Sequence, residues 1–254
     1  MKTMKNFDLT GKKAFITGGA KGIGKSAALA FAEAGADVAI VDTDTESAEA
    51  TVKEVKALGV NSIYVKTDIT NPTQVDAMIE SVLKEFKTID IAFNNAGICI
   101  NEKAEDMSYE NWKKVLDVNL TGIFLTARAA GRVMIKNRKG CIINTASMSG
   151  HIVNVPQPQC AYNASKAGVI LLTKSLAVEW APYNVRVNSI SPGYIGTKMT
   201  LSATQWIPTW ESLTPVKRMG RPEELTAALI YLAGDGASFT TGCDIVIDGA
   251  FTCV

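Results

Sequence analysis

The sequence predicts a doubly wound α/β domain, in which helices flank both faces of a parallel β-sheet. Short apolar runs alternate with longer segments of helical periodicity along the 254 residues. Consecutive strands in such an alternation are parallel, because each helix returns the chain to the edge where the previous strand began. Neither an internal repeat nor a Pro/Ser-rich or charged linker interrupts the pattern, so residues 1–254 are predicted to form a single domain.

The first half of the chain shows this alternation most clearly. It predicts strands at 13–17, 37–41, 62–66 and 89–93 and helices at 23–34, 46–58 and 74–86. The residues at the boundaries agree with these limits, since Gly35 and Gly59 follow two of the helices and Asn71-Pro72 precedes the third. Each helix therefore has a start or stop signal of its own.

The second half continues the alternation and then becomes irregular. It predicts a long helix at 112–136, a strand at 140–144, a helix at 164–179 and a strand at 185–189. Segment 196–221 has no regular period and contains Trp206, Trp210 and two prolines. We expect this segment to form a substrate lid, whose tryptophans either close over the substrate or fill the core of the lid.

Composition and charge restrict the possible partners. The 26 Lys and Arg residues nearly balance the 25 Asp and Glu residues, so no net field draws the protein to nucleic acid or to an anionic membrane. The first residues lack the apolar segment of a signal peptide, and no apolar run approaches the roughly 20 residues of a membrane span. We therefore expect a cytoplasmic protein that acts on a small molecule.

Cysteine and histidine usage argues against a metal site. The five cysteines are scattered without a Cys-x-x-Cys pair, and His151 is the single histidine. Neither a disulfide framework nor a zinc site is indicated, and no metal is expected. His151 either contacts the substrate or has an ordinary structural position, and the sequence leaves both interpretations open.

A glycine-rich turn joins the first strand to the first helix. Gly18, Gly22 and Gly24 directly follow the apolar strand residues, and Lys21 and Ile23 lie between them. Glycines let the backbone approach a pyrophosphate, and the amides of the first helical turn point at it with the positive end of the helix dipole. The position of this turn after the first strand predicts binding of a dinucleotide.

The end of the second strand bears on the choice of dinucleotide. Asp42 stands where an acidic residue is expected to bond the ribose 2′-hydroxyl of NAD. Its carboxylate would repel the 2′-phosphate of NADP by about 4 kcal/mol per unit charge at ~4 Å in an effective dielectric of about 20. Lys21 is the counter-argument, because its ammonium could attract that phosphate. NAD is the expected cofactor, and NADP is the alternative.

Tyr162 and Lys166 lie one helical turn apart, on the same face of a predicted helix. A phenol with an ordinary pKa of about 10 is a poor base near neutral pH, but a neighbouring ammonium favours its ionised form. Tyr162 is therefore a candidate general acid/base. Taken alone, such a pair is more often an ordinary pair of helical neighbours.

Together with motifs elsewhere, these residues give a chain that resembles the short-chain dehydrogenase/reductase family along nearly its whole length. The resemblance rests on Thr17-Gly-x-x-x-Gly-x-Gly24, Asp68-Ile69, Asn94-Asn-Ala-Gly97, Asp117-Val-Asn-Leu120, Ser147, Tyr162-x-x-x-Lys166 and Pro192-Gly193. It implies a Rossmann-like fold and a metal-independent, NAD(P)-dependent oxidoreductase. Such an enzyme moves a hydride between the nicotinamide and a secondary alcohol or ketone.

The resemblance also implies roles for single residues. Tyr162 would exchange a proton with the substrate oxygen, and Lys166 would lower the pKa of Tyr162 and hold the nicotinamide ribose. Ser147 would bond the same substrate oxygen, and Asn119 would support a water relay to Lys166. Beyond the glycine-rich turn and Asp42, the implied cofactor-binding residues are Asp68, Ile69, Asn95, Ala96, Gly97, Tyr162, Lys166, Pro192, Gly193, Ile195 and Thr197.

The assignment of the catalytic serine has a rival in Ser149. Ser149 has the spacing to Tyr162 that the family usually shows, whereas Ser147 lies two residues further away. Ser147 is preferred because its place after the preceding strand matches the family pattern. The longer spacing then implies an insertion of two residues in the loop at 153–160, which should line the substrate pocket.

The resemblance further suggests a substrate class. Stretches 147–154 and 189–195 are similar to family members that interconvert polyols and ketoses, and a polar substrate would suit Asn154, Gln157 and Gln159. The alternatives are sugar-acid, 3-oxoacyl-thioester and cyclic-alcohol or steroid dehydrogenases. A regulator that binds the nicotinamide cofactor without catalysis is an alternative from another class.

Members of the family are commonly tetramers, so the resemblance also implies a homotetramer. The two long helices predicted at 112–136 and 164–179 would pack against a partner. Phe124 and Leu125 are apolar residues that could serve either this surface or the core.

Overall fold

The computed structural model describes residues 3–254, within which seven strands form one sheet. The strands are β1 (Lys13–Thr17), β2 (Asp37–Asp42), β3 (Ser62–Lys66), β4 (Ile91–Asn94), β5 (Gly140–Thr145), β6 (Val185–Pro192) and β7 (Asp244–Ile247). Their order across the sheet is β3-β2-β1-β4-β5-β6-β7, and all neighbours are parallel. The predicted doubly wound parallel sheet is confirmed. The first two residues of the predicted domain lie outside the described residues.

Helices cover both faces of the sheet. They are α1 (Gly22–Glu33), α2 (Thr45–Ala57), α3 (Pro72–Phe86), α4 (Tyr109–Leu116), α5 (Ile123–Asn137), α6 (Cys160–Trp180), α7 (Lys198–Leu201), α8 (Ile207–Leu213) and α9 (Thr226–Ala233). Side chains of α1, α2 and α9 pack on one face, whereas those of α3, α5 and α6 pack on the other. Among residues 3–254, no helix has the length and apolar character needed to cross a bilayer.

Local signals fix the ends of several helices. The side chain of Asp44 accepts a hydrogen bond from the Ser47 amide at 3.2 Å and so begins α2. Asn71 begins α3 in the same way, accepting from the Gln74 amide at 3.1 Å. Gly35 ends α1 with a φ of 97°, a left-handed conformation that glycine adopts at little cost. These limits agree with the start and stop signals in the sequence.

The long helix predicted at 112–136 is not a continuous α-helix. A π-helical turn, Asp117–Gly122, separates α4 from α5. The extra residue in such a turn widens the helix locally, and here it turns the fully buried Asn119 toward the interior. Hydrophobic periodicity alone does not distinguish a single π-helical turn from continuous α-helix, so the sequence did not reveal this turn.

Two other limits differ from the prediction. The pattern missed β7, because the apolar run of this half-buried edge strand, Ile245–Ile247, is only three residues long. The helix expected at 164–179 begins earlier, at Cys160, so Tyr162 lies in its first turn. The phenol is therefore fixed by regular helical backbone instead of a loop.

The strand side chains divide between two cores. Ile16 packs on the face with α1, and its neighbour Phe15 packs on the opposite face with α3 and α5; both are fully buried. The strand order reverses between β1 and β4, since the chain winds outward in opposite directions from them. A crevice therefore opens beyond the carboxyl ends of these two strands, where α/β sheets bind ligands.

Candidate active site

The glycine-rich turn leaves the N-terminus of α1 open. Gly18 and Gly22 have φ angles of 62° and 53°, which favour glycine. Gly24 is required for another reason, because a Cβ on it would lie 2.1 Å from the carbonyl oxygen of Gly18. Lys21, the N-cap residue of α1, makes no side-chain hydrogen bond to the first amides of the helix. These amides fit an anion such as the pyrophosphate of a dinucleotide.

A groove extends from this turn along the carboxyl ends of the strands to α6. The predicted residues that line it are Gly18, Lys21, Gly22, Ile23, Asn95, Ala96, Gly97, Tyr162, Lys166 and Thr197. A hollow that shares part of this floor is lined by Asp42, Asp68 and Ile69. Four predicted cofactor residues line neither space: Gly24 lies behind the turn, Pro192 ends β6, and Gly193 and Ile195 face other cavities.

Asp42 is held at the end of β2 by two backbone amides. Its carboxylate accepts hydrogen bonds from the amides of Ala20 at 3.1 Å and Asp44 at 3.0 Å. Lys21 forms an ion pair with Asp44, and this contact lowers the pKa of the Asp44 carboxyl to about 2. The ammonium of Lys21 is therefore already paired with a carboxylate. The pair is exposed, so we assign it no contribution to stability.

The structure brings Ser147, Tyr162 and Lys166 together at one end of the groove. Ser147 follows β5 and its hydroxyl interacts with the Tyr162 phenol. The Lys166 ammonium lies 5.6 Å from the centre of the Tyr162 ring and donates a hydrogen bond to the Thr145 carbonyl oxygen at 2.6 Å. A hydroxyl, a phenol and an ammonium thus meet at the carboxyl end of β5.

Burial governs the protonation of this cluster. It raises the pKa of Tyr162 above its ordinary value, and the hydrogen bond with Ser147 only partly opposes the rise. It also lowers the pKa of Lys166 to about 8. The direction at Tyr162 is the reverse of that expected from a neighbouring cation. The physical reason is that the Lys166 ammonium is directed at the Thr145 carbonyl, while desolvation disfavours the charged form of the phenol.

Asn119 lies behind the groove and is fixed by three hydrogen bonds. Its oxygen accepts from the Ile98 amide at 2.8 Å, and its nitrogen donates to the Ile98 carbonyl at 2.9 Å and to Ser165 Oγ at 3.1 Å. A Cβ on Gly97 would lie 3.3 Å from the Asn119 oxygen and 3.6 Å from the Lys166 nitrogen. Because Gly97 has no side chain, a narrow space remains between Asn119 and Lys166.

Ser149, the rival of Ser147, is turned toward a different set of partners. Its hydroxyl donates to the Asn154 oxygen at 2.9 Å and accepts from the Gln159 amide at 3.2 Å. Its own backbone amide donates to Ser147 Oγ at 3.2 Å. Ser149 thus belongs to the wall of the site, while Ser147 is the serine that interacts with Tyr162.

A pocket beside Tyr162 is lined by uncharged side chains, some polar and others apolar. Its lining consists of Cys99, Asn101, Ser147, Met148, Ser149, Asn154, Gln157, Gln159, Tyr162, Gly193, Tyr194, Met199, Thr200, Ala203 and Trp210. Three of these residues belong to the loop at 153–160, which lines the pocket as expected. Burial raises the pKa of the Cys99 thiol to about 11, so it is neutral as well. No Lys, Arg, Asp or Glu of the described chain lines this pocket.

Cys99 and Tyr194 are among the residues of this pocket to which the sequence analysis assigned no role. Cys99 follows the Asn94-Asn-Ala-Gly97 motif closely, and Tyr194 directly follows Pro192-Gly193. Their positions next to motif residues were the available signal. Neither residue type is specific enough to single out without the tertiary contacts.

The structure shows the surroundings of His151, Trp206 and Trp210, for which the sequence left two interpretations open. His151 is half-exposed and its Nε2 lies 2.6 Å from Asp244 Oδ2, at the edge strand β7 and outside the pocket. Trp210 is buried and lines the pocket, whereas Trp206 packs against Trp210 with the ring centres 6.0 Å apart. One tryptophan of segment 196–221 thus faces the pocket, and the other supports it.

Comparisons with known proteins agree with this geometry. The family described as enoyl-(acyl carrier protein) reductase matches residues 18–252. A sorbose reductase from Candida albicans is 43% identical over 97% of this chain and 89% of its own, and a probable NADP-dependent mannitol dehydrogenase from Yarrowia lipolytica is 44% identical over 98% and 91%. The crystal structure of a short-chain type dehydrogenase/reductase from Mycobacterium marinum is 47% identical, with a TM-score of 0.97 and 99% coverage of both chains.

Proposed function

The chain belongs to the short-chain dehydrogenase/reductase family, and on this premise we propose that it interconverts a neutral polyol and the corresponding ketose. As a member of this family it is an NAD(P)-dependent oxidoreductase that acts on CH–OH groups. The observation that carries the choice of substrate is the pocket wall, in which three amide side chains, Asn154, Gln157 and Gln159, face a site without charged groups.

The cofactor would be held along the groove described above. We assign its pyrophosphate to the open amides of α1 and the glycine-rich turn, and its adenosine end to the hollow at Asp42, Asp68 and Ile69. When bound, the nicotinamide supplies or accepts the hydride of the reaction. The protein holds the substrate in position and supplies or accepts the proton.

We assign the proton to Tyr162. During ketone reduction its phenol donates the proton to the substrate oxygen, and during alcohol oxidation it accepts that proton. Ser147 hydrogen-bonds the same oxygen, since it is the serine that interacts with the phenol. Lys166 places a positive charge beneath the phenol and supports its ionised form, and Asn119 borders the space through which a water could reach Lys166.

The uncharged pocket favours a neutral substrate over a sugar acid. A substrate carboxylate would need an ammonium or guanidinium partner, and the pocket lining contains neither. A polyol offers several hydroxyl groups, each of which can donate to or accept from an amide. Relatives named as a sorbose reductase and a mannitol dehydrogenase support the same choice.

The proposal is tested by following the absorbance of NADH and, separately, of NADPH with a panel of oxidants. The panel contains fructose, sorbose, xylulose, 5-ketogluconate, an acetoacetyl thioester and a cyclic ketone. Turnover of a ketose at the highest kcat/KM supports the proposed function. Preference for 5-ketogluconate or for the thioester would contradict it, because those substrates belong to the alternative activities.

Replacing Ser147 is expected to impair the reaction far more than replacing Ser149. We expect Ser147→Ala to lower kcat about 10²-fold, because a donor to the developing oxyanion is lost. Ser149→Ala is the matched control, since its hydroxyl is bonded to Asn154 and Gln159 instead of Tyr162. Steady-state kinetics of both variants check this assignment, and a larger loss in Ser149→Ala would reverse it.

We also propose that NAD is preferred over NADP. Asp42 places a carboxylate at the proposed adenosine end, and Lys21, the cation that could attract a 2′-phosphate, is paired with Asp44. The relative from Yarrowia lipolytica is named NADP-dependent, so the contacts of this chain's own Lys21 and Asp42 carry the argument. Because Lys21 is paired with Asp44, its ammonium is less available to attract the 2′-phosphate of NADP.

Cofactor preference should change when either carboxylate is removed. We expect Asp42→Ser to raise kcat/KM for NADPH relative to NADH by about 10- to 100-fold, since it removes like-charge repulsion of a few kcal/mol. Asp44→Ser should raise the same ratio by a smaller factor, because it frees Lys21. Kinetics with both cofactors measure the ratios, and a ratio unchanged in Asp42→Ser would refute the proposed contact.

Three further properties are proposed from the sequence and the family. They are a single catalytic domain with a lid at 196–221, a homotetramer and a cytoplasmic location. Phe124 is 39% exposed on α5, and Leu171 and Val178 are 67% and 77% exposed on α6, so these helices carry apolar side chains for a partner to cover. Leu125 is buried and belongs to the core.

A further inference from the structure

Tyr194 lies in the pocket without a part in the proposed proton transfer, yet its ring is held rigidly. The ring stacks on Trp210 with centres 4.2 Å apart and an angle of 11° between the planes. The ring of Phe251 meets it edge-on at 5.5 Å. These two contacts fix the plane of the phenol and therefore the place of its hydroxyl group.

The hydroxyl oxygen of Tyr194 accepts two hydrogen bonds from amide side chains. Asn154 Nδ2 lies 2.7 Å from it, and Gln157 Nε2 lies 2.8 Å from it. The orientation of Gln157 follows from its other end, where Trp210 Nε1 lies 2.9 Å from Gln157 Oε1. An indole N–H can only donate, so the amide oxygen faces Trp210 and the amide nitrogen faces Tyr194.

The orientation of Asn154 follows from its other neighbours. Its oxygen accepts from Ser149 Oγ at 2.9 Å and from Gln159 Nε2 at 3.0 Å. Its nitrogen is therefore the group that faces Tyr194. Both amides are buried, at 3% exposure for Asn154 and 5% for Gln157, so water does not compete freely for these bonds.

The proton of the Tyr194 hydroxyl has no acceptor among residues 3–254, although the hydroxyl oxygen has two donors. A phenol has two acceptor positions and one proton, and the two amide nitrogens fill both acceptor positions. Within residues 3–254, both hydrogen bonds of the Tyr194 hydroxyl are ones that it accepts. The O–H is thus directed away from the amides, into the pocket that Tyr194 shares with Ser147 and Tyr162.

We propose that Tyr194 determines specificity by donating its O–H to the substrate oxygen on the carbon next to the reacting carbon. Tyr162 and Ser147 take the reacting oxygen, so the next oxygen along a ketose or polyol is the nearest acceptor for a third hydroxyl in the same pocket. The inference rests on the proposed function. It identifies the feature of ketoses and polyols that the pocket recognises, which is the hydroxyl group on the carbon next to the reacting carbon.

The Trp210–Gln157 contact sets the direction in which Tyr194 donates. Without the indole N–H, Gln157 could turn its oxygen toward Tyr194 and accept the proton that the substrate otherwise receives. A ketone without the neighbouring hydroxyl leaves the O–H of Tyr194 without a substrate partner, which disfavours its binding relative to the hydroxy ketone. The contacts among Trp210, Gln157 and Tyr194 therefore control the preference for ketones with a neighbouring hydroxyl group over ketones without one.

The test compares 1-hydroxybutan-2-one with butan-2-one, which differ only in the neighbouring hydroxyl group. Tyr194→Phe keeps the stacked ring and removes the O–H, so we expect its kcat/KM for the hydroxy ketone to fall about 10- to 100-fold. Its kcat/KM for butan-2-one should stay within about 3-fold of the wild type. A purely structural role of Tyr194 would lower both values together.

Two further variants complete the experiment. Tyr109→Phe is the matched control and should change neither substrate, because this tyrosine is 71% exposed and lies outside the pocket. Trp210→Phe keeps an aromatic ring against Tyr194 but frees Gln157. We expect the ratio of kcat/KM for 1-hydroxybutan-2-one to that for butan-2-one to fall, but by a smaller factor than in Tyr194→Phe. The relative inhibition constants of butane-1,2-diol and butan-2-ol give the same discrimination where butan-2-one turns over too slowly to measure.

The outcomes separate this inference from the proposed function. If the wild type reduces ketoses but Tyr194→Phe retains the preference for the hydroxy ketone, the role of Tyr194 is refuted and the proposed function stands. Equal losses for both ketones also refute it. If the wild type reduces no ketose in the panel, the proposed function is refuted and the role of Tyr194 falls with it.

Discussion

Tyr162→Phe is expected to lower kcat by about 10³- to 10⁴-fold while leaving NADH binding within about 3-fold of the wild type. The variant keeps the ring beside Lys166 and loses only the oxygen that we assign to proton transfer. Turnover under saturating ketose and the fluorescence of bound NADH measure the two quantities.

The control for this variant is Tyr183→Phe, which changes an exposed tyrosine just beyond the C-terminal end of α6, whereas Tyr162 lies in the first turn of that helix. It should retain full activity and the same thermal midpoint. Turnover of Tyr162→Phe within 10-fold of the wild type would remove Tyr162 from the chemistry. A wild type that binds NADH but turns over no alcohol or ketone would instead favour a regulator that uses the cofactor only as a ligand.

The protonation of Tyr162 suits one direction of the reaction in the ligand-free protein. Burial raises the pKa of the phenol, so it holds its proton throughout the neutral range. A protonated phenol is ready to donate during ketone reduction, whereas alcohol oxidation first needs the phenol to lose its proton. The positive charge of Lys166 is the nearby group that favours this loss, and it is present only below a pH of about 8.

The sequence predicted the parts of the molecule that depend on neighbours along the chain. The apolar runs of β1 and β2 are fully buried between two layers of helices, so their composition alone identified them. Tyr162 and Lys166 were correctly placed on one face of α6, because residues four positions apart lie one turn apart in a helix. The half-exposed edge strand β7 was not predicted, because its apolar run is only three residues long.

The parts that the sequence could not predict depend on contacts between distant segments. Tyr194 follows β6 and Trp210 lies in α8, and their stacking arises only when segment 196–221 folds back over the pocket. The pairing of Lys21 with Asp44 likewise joins the glycine-rich turn to the start of α2. The direction of the pKa shift at Tyr162 depends on burial. The four-residue spacing between Tyr162 and Lys166 gives no information about burial.

Lys166→Met is expected to abolish most turnover and at the same time to stabilise the ligand-free protein. Lys166 is 2% exposed, and its ammonium has the Thr145 carbonyl as a partner but no carboxylate. Burial of this charge lowers its pKa from an ordinary 10.5 to about 8. Since the folded state binds the proton more weakly than the unfolded state, protonated Lys166 destabilises the fold below a pH of about 8.

The sign of this effect determines its pH dependence. Between a pH of about 8 and one of about 10.5 the folded chain has released the Lys166 proton while the unfolded chain still holds it, so the stability of the wild type rises with pH in this window. Lys166→Met has no such proton and should lack this rise. We expect the variant to be more stable by about 1–2 kcal/mol at neutral pH, after the lost hydrogen bond to Thr145 is counted.

Urea denaturation of both proteins at pH 7 and at a pH above 10 measures the difference in the free energy of unfolding. Lys174→Met is the matched control, because Lys174 is exposed on the same helix and should show little change at either pH. In the wild type, kcat/KM should decline as the pH rises through about 8, where Lys166 loses its charge. A stability difference that is the same at both pH values would show that the gain comes from packing of the methionine, and that the buried charge of Lys166 does not oppose folding.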